Sequence, residues 1–166
     1  NSRLVEPAVK PILRKLRMGV HSCSGLILLT MFSGALVAGL DAGMIYNTFP
    51  KMGNRWVPSD VWVKEKGLNN VTDNPTTAQF NHRILAIGTV GSVTGLYLWA
   101  WKYRQSLPRR IRVGLDLLLG ISYAQGSLGL LALLYSVPIP IGSAHQMGAL
   151  GTLTTSLYLM NIMRPL

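Results

Sequence analysis

The chain has 166 residues, 49% hydrophobic and only 13% charged, with a mean hydropathy of +0.31 and a net charge of +10. A soluble domain carries about 25% charged residues, so this composition excludes an ordinary soluble fold and points to an all-α integral membrane protein. Most of the basic residues flank apolar blocks, so the positive charge reads as membrane topology and not as nucleic-acid binding.

Residues 1–17 carry Arg3, Lys10, Arg14, Lys15 and Arg17 against a single Glu6, and Pro7 and Pro11 oppose a continuous helix there. The chain opens on Asn1 without a signal-peptide pattern, which fits a matrix- or cytosol-type flank on a processed or truncated product. The first apolar block runs from about 18 to 40 and contains Cys23, which as a lone cysteine makes neither an internal disulfide nor a zinc site. A polar connection over about 41–79 follows, rich in Asn, Gly and Pro. It also holds Tyr46, Phe49, Trp56 and Trp62, as a segment lying at a membrane interface would. Asp41 is placed to cap or order this loop, and its aromatics argue for a functional role. The sequon Asn70-Val71-Thr72 has meaning only on the secretory route.

The second block spans about 81–101, with Asn81 as an N-cap and Trp99, Trp101 and Tyr103 as an interfacial belt. A basic hairpin (Lys102, Arg104, Arg109, Arg110, Arg112) leads to a third block over about 113–136. There Asp116 is expected to pair with the hairpin, and Gln125, at mid-membrane, to bond a neighbouring helix. After the uncharged turn 137–142, a fourth block covers about 143–163. The N-terminal flank, the hairpin and Arg164 supply 11 of the 16 Lys and Arg residues. The expected architecture is therefore a four-helix membrane bundle with both termini on the inner side, in a mitochondrial matrix or bacterial cytoplasm, and the 41–79 loop outside.

Two of these blocks carry an echo. His82, Gly88 and Thr89 on the second answer to His145, Gly151 and Thr152 on the fourth, each pair 63 residues apart. Both helices descend from the outer surface, so the two imidazoles lie at equal depth. A histidine inside a bilayer is costly and marks function, and two at one depth suit bis-histidine ligation of a haem. Ala86, Gly88, Gly91, Gly95, Gly148, Ala149 and Gly151 leave room for a flat macrocycle, although the same glycines also serve close helix packing. No HxxxH, no CxxC and no carboxylate beside either histidine offers a rival metal site. Arg83, with Lys51 and Arg55 in the loop, is placed to meet anionic propionates or to snorkel to the interface. His21 starts the first helix at the opposite face and cannot join the pair.

The runs Ser33–Gly43, Tyr46–Gly53 and Trp56–Pro58, with Asn74-Pro75-Thr76, Gln79–Arg83 and Ala144–Gly148, closely resemble the mitochondrial type of haem A synthase over nearly the whole chain. That family has two similar four-helix halves in the mitochondrial inner membrane, and the resemblance is to the C-terminal half. It implies a b-type haem held by His82 and His145, in an oxidoreductase that turns a methyl group of haem O into the formyl group of haem A for cytochrome c oxidase. It implies an electron-donor protein, a lipid environment, no nucleic acid and scope for a homo-oligomer. The family's catalytic Glu-x-x-x-His motif belongs to the other half. Only Glu6 and Glu65 occur here, so no catalytic residue is assigned, and no outer-loop cysteine pair is present. With both axial positions taken by protein, such a haem suits electron transfer more than oxygen activation. The alternatives are a stand-alone bis-histidine membrane cytochrome without catalysis, and a membrane subunit whose histidines merely pack.

Overall fold

The structure is a computed structural model and describes residues 9–164. It is all-helical, without strands among the described residues. The long helices are α1 (Lys10–Gly39), α3 (Pro75–Trp101), α4 (Arg109–Leu134) and α5 (Ile139–Ile162), and a single turn, α2 (Asn70–Asp73), precedes α3. Three of them, α1, α3 and α4, are long and apolar enough to cross a membrane. Helix α5 is not among the three, because Gly, Ser and Thr, with His145, Gln146 and Asn161, dilute its apolar residues.

All four long helices start four to eight residues before the apolar blocks read from the sequence, and at α1 and α3 the reason is proline. Proline is expelled from helix interiors but fits the first turn, where its missing N–H would be unpaired anyway. Pro11 therefore opens α1 at Lys10 instead of breaking it, and Pro75 opens α3 six residues before Asn81. Pro7 lies outside the described residues. The cap of α3 is not Asn81 but Asn74, whose side chain accepts from the N–H groups of Thr76 (3.0 Å) and Thr77 (3.3 Å).

The buried stripe of α1 is Leu13, Leu16, Val20, Cys23 and Ile27, at helical three- and four-residue spacing. It meets Val93 and Ala100 of α3, Ile111, Leu115 and Leu118 of α4, and Leu159 of α5 in one core cluster. All of these lie at the end of the helices where α1 and α4 begin and α3 and α5 finish. At that end Arg104 forks onto the Asp116 carboxylate (2.9 and 2.8 Å), which also accepts from the Tyr97 hydroxyl, so Asp116 pairs as its position suggested. The opposite end holds both histidines and contributes little to that core. Helix α1 packs on α3 and α5, and α4 packs on α5 and α3, while α3 and α5 touch only marginally. The histidine helices thus stand diagonally opposed. Outward faces expose Leu28, Phe32, Ile84, Ile87, Leu117 and Leu150, as lipid-facing surfaces require.

Residues 40–74 are ordered by polar groups and not by their aromatics. Asn70 is 0% exposed, with Nδ2 donating to the carbonyls of Val63 and Gly67 and Oδ1 accepting from Val63 N–H and Asn74 Nδ2. So buried and so fully bonded, it is no glycan acceptor. Asn74 Nδ2 also donates to the Asp60 carbonyl (2.9 Å), and the Asp60 carboxylate accepts from Tyr46 and Thr76 hydroxyls at 2.8 and 2.7 Å. Phe49, Trp56 and Trp62 are 45%, 66% and 51% exposed, and so free to meet an interface. Asp41 makes no capping bond; it turns the chain in a left-handed conformation, φ 49°.

Two outcomes follow. Asn74→Ala removes a helix cap and a loop tie together and is expected to cost about 2 kcal/mol, read as a lower unfolding midpoint and faster proteolysis within 41–74. Burial works against ionising Asp60, but the Thr76 and Tyr46 hydrogen bonds outweigh it and hold the carboxyl below its ordinary value of 3.8. A depressed folded-state pKa contributes stability that is full above the ordinary value and drains away as pH falls through the folded one. Loop protection from protease should therefore drop below about pH 4, and Asp60→Asn should abolish that pH dependence.

Candidate haem-ligand site

His82 is the eighth residue of α3 and His145 the seventh of α5, so each lies about two turns below its helix start and not in the first turn. The two histidines lie at nearly the same distance from their helix starts, both of which carry proline in the first turn. Each imidazole lies over a glycine of the neighbouring helix. A Cβ on Gly34 of α1 would fall 3.0 Å from His82 Cε1, and one on Gly129 of α4 would fall 2.7 Å from His145 Cε1. Glycine is needed at both positions, since any larger residue would push the ring away. No third His, Cys, Asp or Glu gathers with them among the described residues.

The nitrogens of the two rings are treated differently. His82 Nδ1 lies 2.8 Å from the Ser33 hydroxyl, whereas His145 Nδ1 is buried without a partner. Neither Nε2 hydrogen-bonds within the described protein. Gln125 of α4 donates from Nε2 to the His145 carbonyl (2.8 Å), so it bonds a neighbouring helix as expected and does so at the ligand candidate itself. Its Oε1 is buried, lies against Gly148 and has no partner.

The small residues divide into two groups. Gly148 and Gly151 are filled by Gln125 and Ile121 of α4, so they are packing glycines and not space for a ring. A Cβ on Gly88, Gly91 or Gly95 would meet nothing within 4 Å. Thr89, one half of the repeated Gly-Thr pair, bonds Thr30 of α1 hydroxyl to hydroxyl at 2.7 Å, and its counterpart Thr152 donates to its own helix at Gly148.

Arg83 holds the loop. Its Nη2 donates to the Tyr46 carbonyl (2.6 Å) and its Nη1 to that of Thr48 (2.7 Å), while Nε is buried and unpartnered. Gln79 Nε2 donates to the same Tyr46 carbonyl (3.1 Å). Across the site, Asn47 Nδ2 joins Gly43 and Leu133 carbonyls, both at 2.8 Å, and so ties the loop to the end of α4. Lys51 stands over the Trp56 ring at 5.9 Å, and Arg55 is exposed. His21 donates from Nδ1 to the Arg17 carbonyl (2.7 Å) within α1. It lies thirteen residues before Gly34, about 20 Å along the helix at 1.5 Å per residue, and takes no part in the site. Cys23 is a buried core side chain.

Sequence reasoning missed Ser33, Gly34 and Gly129. Nothing in periodicity marks them, and only the Ser33–Gly43 run hinted at the first two. Gly129→Ala should displace His145 and destabilise the chain by about 1–3 kcal/mol. Gly88→Ala, which meets open space, should fall within about 0.5 kcal/mol of neutral or better. Denaturation of the two variants side by side in detergent reads the difference.

Across residues 2–157 the chain matches the family described as COX15-CtaA, cytochrome oxidase assembly protein. Heme A synthase COX15 of Bos taurus is 47% identical over 152 residues, covering 92% of this chain and 36% of that protein. A heme A synthase-mitochondrial ferredoxin fusion protein of Schizosaccharomyces pombe is 41% identical over 161 residues, 90% of this chain and 26% of the fusion. Heme A synthase COX15 of Saccharomyces cerevisiae is 38% identical over 173 residues, 98% of this chain and 35% of that protein. The chain thus spans about a third of the length of the curated COX15 relatives it matches. No solved structure matches it. With a family match over nearly all its residues and close mitochondrial relatives, the chain belongs to the COX15-CtaA family of cytochrome oxidase assembly proteins.

Proposed function

We propose that this chain is the haem-bearing C-terminal half of a haem A synthase, in which His82 and His145 are the axial ligands of one b-type haem. One observation carries the reading. Two imidazoles at matched depth on diagonally opposed helices are each seated on a glycine, and each leaves Nε2 without a protein partner. The open glycines of α3, Gly88, Gly91 and Gly95, lie on its exposed face with Ile84 and Ile87, turned away from His82, and are no part of this reading.

In this reading α1, α3, α4 and α5 form a membrane bundle of the mitochondrial inner membrane, with both termini in the matrix and the 40–74 loop outside. Such a haem supplies one-electron transfer. The protein's part is to hold and shield it. Arg83 fastens the loop over the outer edge and brings positive charge to where propionates would lie. Gln125 fixes the backbone of α5 at His145. Oxidation of the haem O methyl group is assigned to the remainder of the full-length protein. The fission-yeast relative's name joins a haem A synthase to a ferredoxin, which supports a ferredoxin-class electron donor. The inner hairpin residues Lys102, Arg109, Arg110 and Arg112 offer an acidic carrier a basic face.

Purified with haem b, the chain should show the spectrum of a six-coordinate, low-spin haem. His82→Ala and His145→Ala should each abolish it and lower haem retention by at least about tenfold. A missing Soret band, or one unchanged in both variants, would overturn the assignment.

A further inference from the structure

The surroundings of the two candidate ligands differ in one chemical respect. The Ser33 hydroxyl lies 2.7 Å from the Thr30 carbonyl and 2.8 Å from His82 Nδ1. A carbonyl only accepts, and a hydroxyl has one proton to give. That proton goes to Thr30, one turn back on α1, so the hydroxyl oxygen is left to accept from the ring. His82 must then carry its proton on Nδ1, and its Nε2 keeps a lone pair. His145 has no equivalent, because its Nδ1 is buried without a partner and the residue before its glycine is Leu128 where the other helix has Ser33 before Gly34.

We infer that Ser33 is a positioning residue that locks His82 in the Nδ1–H tautomer and leaves its Nε2 with a free lone pair, while the His145 ring has its Gly129 seat and no such hydrogen bond. The assignment is a property of the protein's own hydrogen bonds. Its consequence for iron rests on the haem reading above: a histidine that donates from Nδ1 is a more basic ligand, so the iron would be bound asymmetrically, more strongly by His82. Gly34 completes the arrangement by letting the ring lie flat against α1 within reach of Ser33.

The direct test needs no haem. In the full chain with ring-15N-labelled histidine, the resonances removed by His82→Ala should show a neutral imidazole protonated at Nδ1. Ser33→Thr should preserve that pattern, and Ser33→Ala should shift it toward the Nε2–H form that free histidine prefers. An Nε2–H pattern for His82 in the unmodified chain, or one untouched by Ser33→Ala, would overturn the inference. With haem b added, Ser33→Ala should raise the midpoint potential and Ser33→Thr restore it. An unchanged potential in a Ser33→Ala protein that still binds haem would refute the asymmetry. Failure of the unmodified chain to bind haem would sink the haem reading and leave the tautomer result standing.

Discussion

The arrangement depends on two close approaches, His82 over Gly34 and His145 over Gly129. A side chain as large as imidazole can lie flat against a neighbouring helix only where that helix has no Cβ in the way. Each histidine is thereby seated against the helix beside it. The same pairing divides the molecule into two hairpins, α1 with α3 and α4 with α5, each presenting one imidazole.

Packing and function occupy opposite ends of the helices. Leu16, Val20, Ile111, Leu118 and Leu159 fill one end, and the Arg104–Asp116–Tyr97 network closes it. The apolar contacts that hold the helices together thus lie away from the histidines. Over the histidine end lies a loop whose polar side chains do the work usually left to a core. Asn70 and Asn74 satisfy backbone groups that a loop would otherwise expose, and Arg83, next in sequence to His82, grips two of its carbonyls.

Much of this was legible from residues alone. The apolar blocks, the isolation of His21, the pairing of Asp116 and the interhelical bond of Gln125 each follow from local chemistry that a sequence displays. Helix starts did not, because Pro11 and Pro75 read as breakers until one asks whether they sit inside a helix or at its first turn. Asn81 and Asn74 are equally plausible caps by residue type, and only the hydrogen bonds to Thr76 and Thr77 decide between them. Gly148 and Gly151 looked like room for a cofactor, yet they receive Gln125 and Ile121. The glycines that matter, Gly34 and Gly129, lie on other helices than the histidines they serve. Such contacts arise from how helices are laid together, and no spacing within one helix records them.

The central claim is that both imidazoles bind one iron. Pulsed electron paramagnetic resonance on the oxidised, haem-loaded chain, grown with 15N-histidine, tests it most directly. The account predicts hyperfine coupling to two histidine nitrogens in a low-spin centre, falling to one when either His82 or His145 is replaced. Coupling to a single histidine in the unmodified chain, or to none, would contradict it.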